Sequence, residues 1–224
     1  MREVMVQYLQ HRLLRWFDEN QRVFPWREDG ATKYQQIVSE ILLQRTKAET
    51  VAKYFDTFFS KYPDWNALAN ASLEELEEVM KPLGLYRHRA KRLYKLGEDI
   101  RRRGGNIPGN SNELRDSGFI GLYVTNAFEL FILRNRKPLL DVNMSRLLKR
   151  YFKPGDFIDV RHDKEIQELA NDIIEVRRCK ELNWAILDYA ALVCKSRNPL
   201  CDECVLNKHC KYYELSKGNT TFIP

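Results

Sequence analysis

Apolar residues recur every three to four positions along nearly the whole chain, which is the period of an α-helix. Val6, Leu9, Leu13, Leu14 and Phe17 trace one face of a first helix, which Phe24-Pro25-Trp26 breaks. Ile37, Val38, Ile41 and Leu42 predict a second helix, and Val51, Tyr54, Phe55, Phe58 and Phe59 a third. Ser72 and Glu75 form a capping box ahead of Leu73, Leu76 and Val79. Leu93, Leu96 and Ile100 mark the next helix, which should stop at Gly104-Gly105. After the turn signal Ile107-Pro108-Gly109-Asn110, residues 123–133 and 142–152 read as helices, the second entered through Asp141 and Asn143 as candidate N-caps. Residues 166–176 and 182–193 complete the set. With no alternating strand pattern, repeat or low-complexity tract, the expected class is all-α. The stretch after Cys210 is polar without helical pattern, and residues 217–224 read as a frayed tail.

Length and composition narrow the picture modestly. A chain of 224 residues that is 44% hydrophobic can bury one large core or two small ones. No apolar run is long enough to span a bilayer. Met1 leads straight into a charged amphipathic stretch with no signal-peptide pattern, so a reducing, cytoplasmic setting is expected, in a prokaryote and near the nucleoid. Lys and Arg outnumber Asp and Glu by 37 to 31, for a net charge of +6. The excess gathers at Arg87, His88, Arg89, Lys91 and Arg92, at 101–103, at Arg134, Arg136 and Lys137, at Arg146, Lys149 and Arg150, and at Lys195, Arg197, Lys208 and Lys211. Charge alone leaves two readings open: solvated helix faces, or a groove for a polyanion.

Chemistry enters with Cys194, Cys201, Cys204 and Cys210, spaced C-x6-C-x2-C-x5-C. Thiolates so close in sequence suit a soft metal or an iron–sulfur cluster. Zinc sites favour C-x2-C pairs on both sides, and here only Cys201 and Cys204 are so close. The spacing favours a [4Fe–4S] cubane, with zinc as the rival and disulfides disfavoured by compartment. Cys179 lies outside the pattern and reads as a small buried hydrophobe.

Other candidates are weaker singly. Gly118-Phe119-Ile120-Gly121 is a turn ahead of an apolar helix, able to aim backbone N–H groups at a phosphate. Asp141, about twenty residues later, reads as an N-cap. Glu40, with Gln44 one turn on, lies roughly opposite the apolar stripe and reads by periodicity as a surface glutamate. Tyr123 reads as core or interface. Trp26 reads as a packed loop aromatic, or as a ring for stacking on a base.

Taken in order, these pieces resemble the helix-hairpin-helix DNA glycosylases of the endonuclease III and MutY superfamily. The resemblance runs from about Phe24 to Tyr213. It rests on Phe24-Pro25-Trp26-Arg27, on the run from Ser39-Glu40 through Gln44-Arg45-Thr46, and on Gly84-Leu85 with Arg89-Ala90. It continues through the turn ending at Gly121, Leu140-Asp141-Val142-Asn143 with Arg146, and the four cysteines. The branch it looks most like is the mismatch-specific thymine/uracil glycosylases.

The resemblance implies a two-lobed fold: a six-helix barrel over 24–135, and an iron–sulfur cluster lobe built from 1–23 and 136–216. DNA would lie between the lobes, with the pocket at their junction. Asp141 falls on the family's catalytic aspartate and Glu40 on an active-site glutamate. Tyr123 occupies the position where strand-cleaving relatives carry lysine, which implies a monofunctional enzyme. Gln44 and Arg45 fall where relatives wedge into the space left by a flipped base. Gly118, Gly121, Lys195 and Arg197 would contact DNA, and Trp26 would line the base pocket. The expected partner is duplex DNA with a mismatched or damaged base, met by a monomer. Thymine or uracil opposite guanine is the first substrate expectation and adenine opposite guanine or oxidised guanine the second. The absence of a further domain after the cysteines and Leu85-Tyr86 in place of a tyrosine pair disfavour adenine. A DNA-binding relative without catalysis is the third reading, which Glu40 and Asp141 oppose. The family's hairpin usually reads Leu-Pro-Gly-Val-Gly, and Phe119 replaces its middle glycine, which bears on the phosphate grip.

Overall fold

The computed structural model describes residues 2–110, 112–113, 121–155, 159 and 162–218. Among them all regular structure is helical. The α-helices are α1 (Arg2–Asn20), α2 (Lys33–Leu42), α3 (Ala48–Lys61), α4 (Trp65–Ala69), α5 (Leu73–Met80), α6 (Tyr86–Arg102), α7 (Leu122–Phe131), α8 (Val142–Phe152), α9 (Lys164–Ile173), α10 (Cys179–Leu192) and α11 (Lys211–Gly218). The chain divides into two compact units, Val23–Asn135 and Met1–Arg22 with Arg136–Pro224. None of the described helices is long and apolar enough to cross a membrane.

In unit Val23–Asn135, α2 packs against α3 and α7, while α4 and α5 pack on α6. The capping box read from Ser72 and Glu75 is complete in both directions, at 2.9 and 3.1 Å. A second box, Thr32 with Gln35, starts α2. Each such cap satisfies N–H groups that a helix start otherwise leaves unpaired. The apolar stripe of α3 closes on an aromatic cluster. Phe59 meets Phe55 at 4.5 Å, Phe58 at 5.1 Å and Tyr34 at 5.6 Å between ring centroids. The Tyr34 hydroxyl donates to the Tyr62 carbonyl at 2.8 Å, which gives its buried polar tip a partner. Where α4 crosses α6, Gly97 permits the approach: a Cβ there would sit 2.8 Å from the Leu68 carbonyl oxygen and 3.0 Å from the Ala69 Cα.

In unit Met1–Arg22 with Arg136–Pro224, α1 lies on α9 and α10, and α8 packs against α9, α10 and α11. The first-helix stripe is buried as its period requires, with Leu9 and Leu13 fully enclosed. Burial of such a side chain contributes roughly 1.5–3 kcal/mol. Asn183 on α10 is also fully enclosed. Its Oδ1 accepts the Leu139 N–H at 2.6 Å, and its Nδ2 donates to the carbonyls of Cys179 (3.0 Å) and Lys137 (3.1 Å). This pins the extended segment that leads into α8.

Two expectations change. The polar stretch after Cys210 forms α11, which starts at Lys211 and packs on α8. The frayed-tail expectation for 217–224 meets helix at Lys217, and 219–224 lie outside the described residues. The short α4 carried no apolar repeat long enough to read, and Asp64 caps it through the Ala67 N–H at 2.8 Å.

Candidate active site

Glu40 sits in the last turn of α2 and Tyr123 in the first turn of α7, on helices that pack together. The Tyr123 hydroxyl donates to Glu40 Oε2 at 2.8 Å. Glu40 is 3% exposed, so the expectation of a surface glutamate is corrected. Periodicity missed this because α7 covers the flank of α2 opposite the main stripe. A phenol donating to a buried carboxylate fixes its orientation.

Asp141 is the N-cap of α8, as its position in the sequence predicts. Its Oδ1 accepts the N–H groups of Asn143 and Met144, each at 2.8 Å, and its Oδ2 accepts from Asn143 Nδ2 at 2.7 Å. Asn143 is held in turn by Arg146 Nη1, which donates to its Oδ1 at 3.0 Å. Burial pushes the Asp141 carboxyl above its ordinary range, and the three hydrogen bonds and the Arg146 charge oppose that rise. The backbone ahead of Asp141 is positioned by Asn183, which sequence reasoning missed. An asparagine on an apolar helix face facing a loop was its one signal.

The remaining candidates divide. Gln44 and Arg45 follow α2 in a tight turn where Arg45 takes φ 58°. Gly121 caps α7 at φ −80°, in extended backbone. Gly118 and Phe119 lie outside the described residues. Trp26 is 2% exposed and stacked on Phe24 at 4.7 Å, a packed core ring. Arg146 and Arg150 are turned inward, donating to the carbonyls of Cys194 and Ala190, and of Lys195 and Ser196, at 2.6–3.1 Å. They shape the loop that carries Lys195 and exposed Arg197.

The [4Fe–4S] expectation is corrected. Cys194, Cys201, Cys204 and Cys210 border a common pocket with Arg150 and Tyr212. Yet among the described residues no group of three or more His, Cys, Asp or Glu could hold a metal ion. Each thiol contact that the structure shows is to a neighbouring side chain or carbonyl. Cys204 Sγ accepts from the Tyr189 hydroxyl at 3.2 Å, Cys194 Sγ accepts from Arg150 at 3.6 Å, and the Cys210 thiol donates to the Arg150 carbonyl at 3.5 Å. Burial pushes the thiols of Cys201 and Cys204 up, and that of Cys210 to about 11. None of the four is in a disulfide. Cys179 is buried, as expected for a small hydrophobe.

Residues 194–210 match the model for the iron-sulfur binding domain of endonuclease III, a match of cysteine spacing that the thiol arrangement does not follow. The chain is 34% identical to a thymine-DNA glycosylase of Aeropyrum pernix, over 93% of this chain and 95% of that protein. It is 31% identical to a thymine/uracil-DNA glycosylase of Methanothermobacter thermautotrophicus, over 90% and 91%. The structure of a thermostable thymine-DNA glycosylase superposes with a TM-score of 0.86 at 29% identity, over 95% of this chain and 98% of that one. Residues 38–182 match the family model that spans Glu40, Tyr123 and Asp141, and the chain belongs to the HhH-GPD superfamily of base excision DNA repair proteins.

Proposed function

We propose that this protein is a monofunctional DNA glycosylase that removes thymine or uracil from a mismatch with guanine. The observation that carries the reading is the Tyr123–Glu40 hydrogen bond: a phenol braces a buried carboxylate, at a sequence position that the family resemblance aligns with the lysine of strand-cleaving relatives. The likeness to thymine and thymine/uracil glycosylases supports the choice of base. The same resemblance supports a two-lobed arrangement, with a six-helix barrel over 24–135 and residues 1–23 with 136–216 forming the second lobe.

The target base leaves the stack, at lower cost when it is mispaired. As its N-glycosidic bond breaks, positive charge develops on the sugar, and the Asp141 carboxylate stabilises it. Water adds its oxygen to the anomeric carbon, one proton passing to Asp141 or solvent, and the base departs with the bond's electron pair and is protonated. An intact strand with an abasic site remains. Glu40, aligned by Tyr123, acts on the base or the water. Gln44 and Arg45 fill the vacated stack, and Gly121, Lys195 and Arg197 hold phosphates.

Labelled duplexes carrying one T·G, U·G, A·G or A·oxidised-G pair each, incubated with the protein and then treated with alkali, test this. Thymine and uracil strands should break only after alkali. Release of adenine with thymine and uracil untouched would sink the substrate assignment.

A further inference from the structure

Arg89 belongs to a basic run whose neighbours Arg87, His88, Lys91 and Arg92 are exposed, yet it is itself 3% exposed. Its Nη1 donates to the main-chain carbonyls of Leu83 at 2.8 Å and Gly84 at 2.7 Å. Its Nη2 donates to the Gln44 carbonyl and the Thr46 hydroxyl. A single planar fork therefore holds two loops that are far apart in sequence, residues 43–46 and 83–85. Thr46 Oγ1 adds a direct link, donating to the Leu83 carbonyl at 3.3 Å. One turn along α6, Arg92 Nη1 donates to Gln44 Oε1.

The carbonyls chosen are informative. That of Gln44 precedes Arg45, at φ 58°, and that of Gly84 precedes Leu85, at φ 47°. Both are left-handed conformations at residues with a Cβ, which persist only where the surroundings over-determine them. Neither is stabilised by burying its own side chain, since Arg45 is exposed and Leu85 is 51% exposed. Arg89 is the shared partner that fixes the peptide ahead of each.

We propose that Arg89 is a positioning residue for base extrusion, clamping the two loops into one rigid element that presents Gln44, Arg45 and Leu85 to the duplex together. The inference rests on the glycosylase reading above and adds to it the part that does the mechanical work. A loop pushed against stacked bases yields unless it is braced, and preorganisation avoids the cost of ordering it at that moment. Lysine cannot replace arginine here, because one ammonium cannot span acceptors on two loops in the guanidinium plane.

The test compares wild type with Arg89→Met, Arg89→Lys and the milder Thr46→Val, which keeps Arg89 and removes one acceptor. Hydrogen exchange reads the clamp. The Thr46 and Gly84 N–H groups are bonded within their own loops, to Leu43 and Lys81 carbonyls at 3.1 and 3.2 Å. Both should lose protection together in every variant, while α3 amides keep theirs. Base release reads its purpose. A 1 Å misplacement can cost about 10²-fold, so single-turnover release from a T·G duplex should fall about that much in the Arg89 variants and less in Thr46→Val. Release from a single-stranded uracil oligonucleotide, which needs no extrusion, should fall far less. Loss of protection in one loop only overturns the clamp. Equal losses on duplex and single strand overturn the extrusion role. Wild-type protein that releases no base from either substrate overturns the glycosylase reading and the extrusion role with it, whereas a variant-specific duplex defect can arise only if both hold.

Discussion

Replacing Asp141 by asparagine separates two roles that coincide in one side chain. The asparagine amide oxygen can still accept the Asn143 and Met144 N–H groups, so the cap on α8 survives; Asn and Asp are about equal as caps. Its NH2, however, then faces the NH2 of Asn143, whose amide cannot simply turn over because Arg146 holds its oxygen. Losing that charge-assisted bond costs roughly 1.5–3 kcal/mol. An opposing gain comes from the carboxyl itself. Its folded pKa lies above the ordinary value, so its stabilising contribution is complete below the unfolded pKa and is lost as pH rises through the folded one. At neutral pH the ionised aspartate therefore weighs against folding, and the neutral amide relieves that. The two effects offset, and melting should move by no more than about 1–2 kcal/mol, or roughly 2–8 °C for a chain of this size. Catalysis has no such offset. Removing a preorganised stabiliser of developing charge should slow single-turnover base release on the order of 10²-fold or more, with binding to the mismatched duplex retained. In wild type the rate should fall on the acid side along a limb lying above the usual carboxylate range, and the variant should lack that limb. Release by Asp141→Asn within a few-fold of wild type would refute the reasoning and leave Asp141 as a helix cap.

Tyr123→Phe removes the hydroxyl that aligns Glu40 and should slow base release by about 10-fold, the worth of roughly 1.4 kcal/mol, with little change in melting; an unchanged rate would separate Glu40 from the chemistry. The unmodified protein should give no covalent complex with DNA under borohydride, because a phenol cannot form a Schiff base, whereas Tyr123→Lys should introduce trapping and some nicking. Gly97→Ala places a Cβ against the backbone of α4, and overpacking of roughly 1–3 kcal/mol should outweigh a helix-propensity gain of about 1 kcal/mol, lowering the melting temperature while base release at low temperature persists.

Helices long enough to repeat an apolar stripe over several turns were legible in the sequence. The period alone gave α8 its bounds and Asp141 its capping role. The reading failed where burial comes from more than one side or from length. Glu40 was placed at the surface because a stripe marks the largest contact of α2, not the second contact made by α7. The helix α4 is too short to show a period, and α11 is amphipathic only against α8. The basic groups at Arg89, Arg146 and Arg150 were legible as charge, but no pattern says that their guanidinium groups turn inward to main-chain carbonyls. The cysteine spacing matched a cluster motif, whereas the hydrogen-bond partners of the thiols, Tyr189 and Arg150, lie on other helices.

The path of the chain through its two units has a consequence for biosynthesis. The helix α1 leaves the ribosome well before its packing partners α9 and α10, which emerge only after all of Val23–Asn135. That middle unit is continuous and rich in short-range contacts, so it can mature while α1 waits unpaired. Once it is folded, the loop that α1 must close is effectively shortened, which lowers the entropy cost of docking. Until then the leucine face of α1 is a newborn hydrophobic surface without a cover, a ready target for a chaperone.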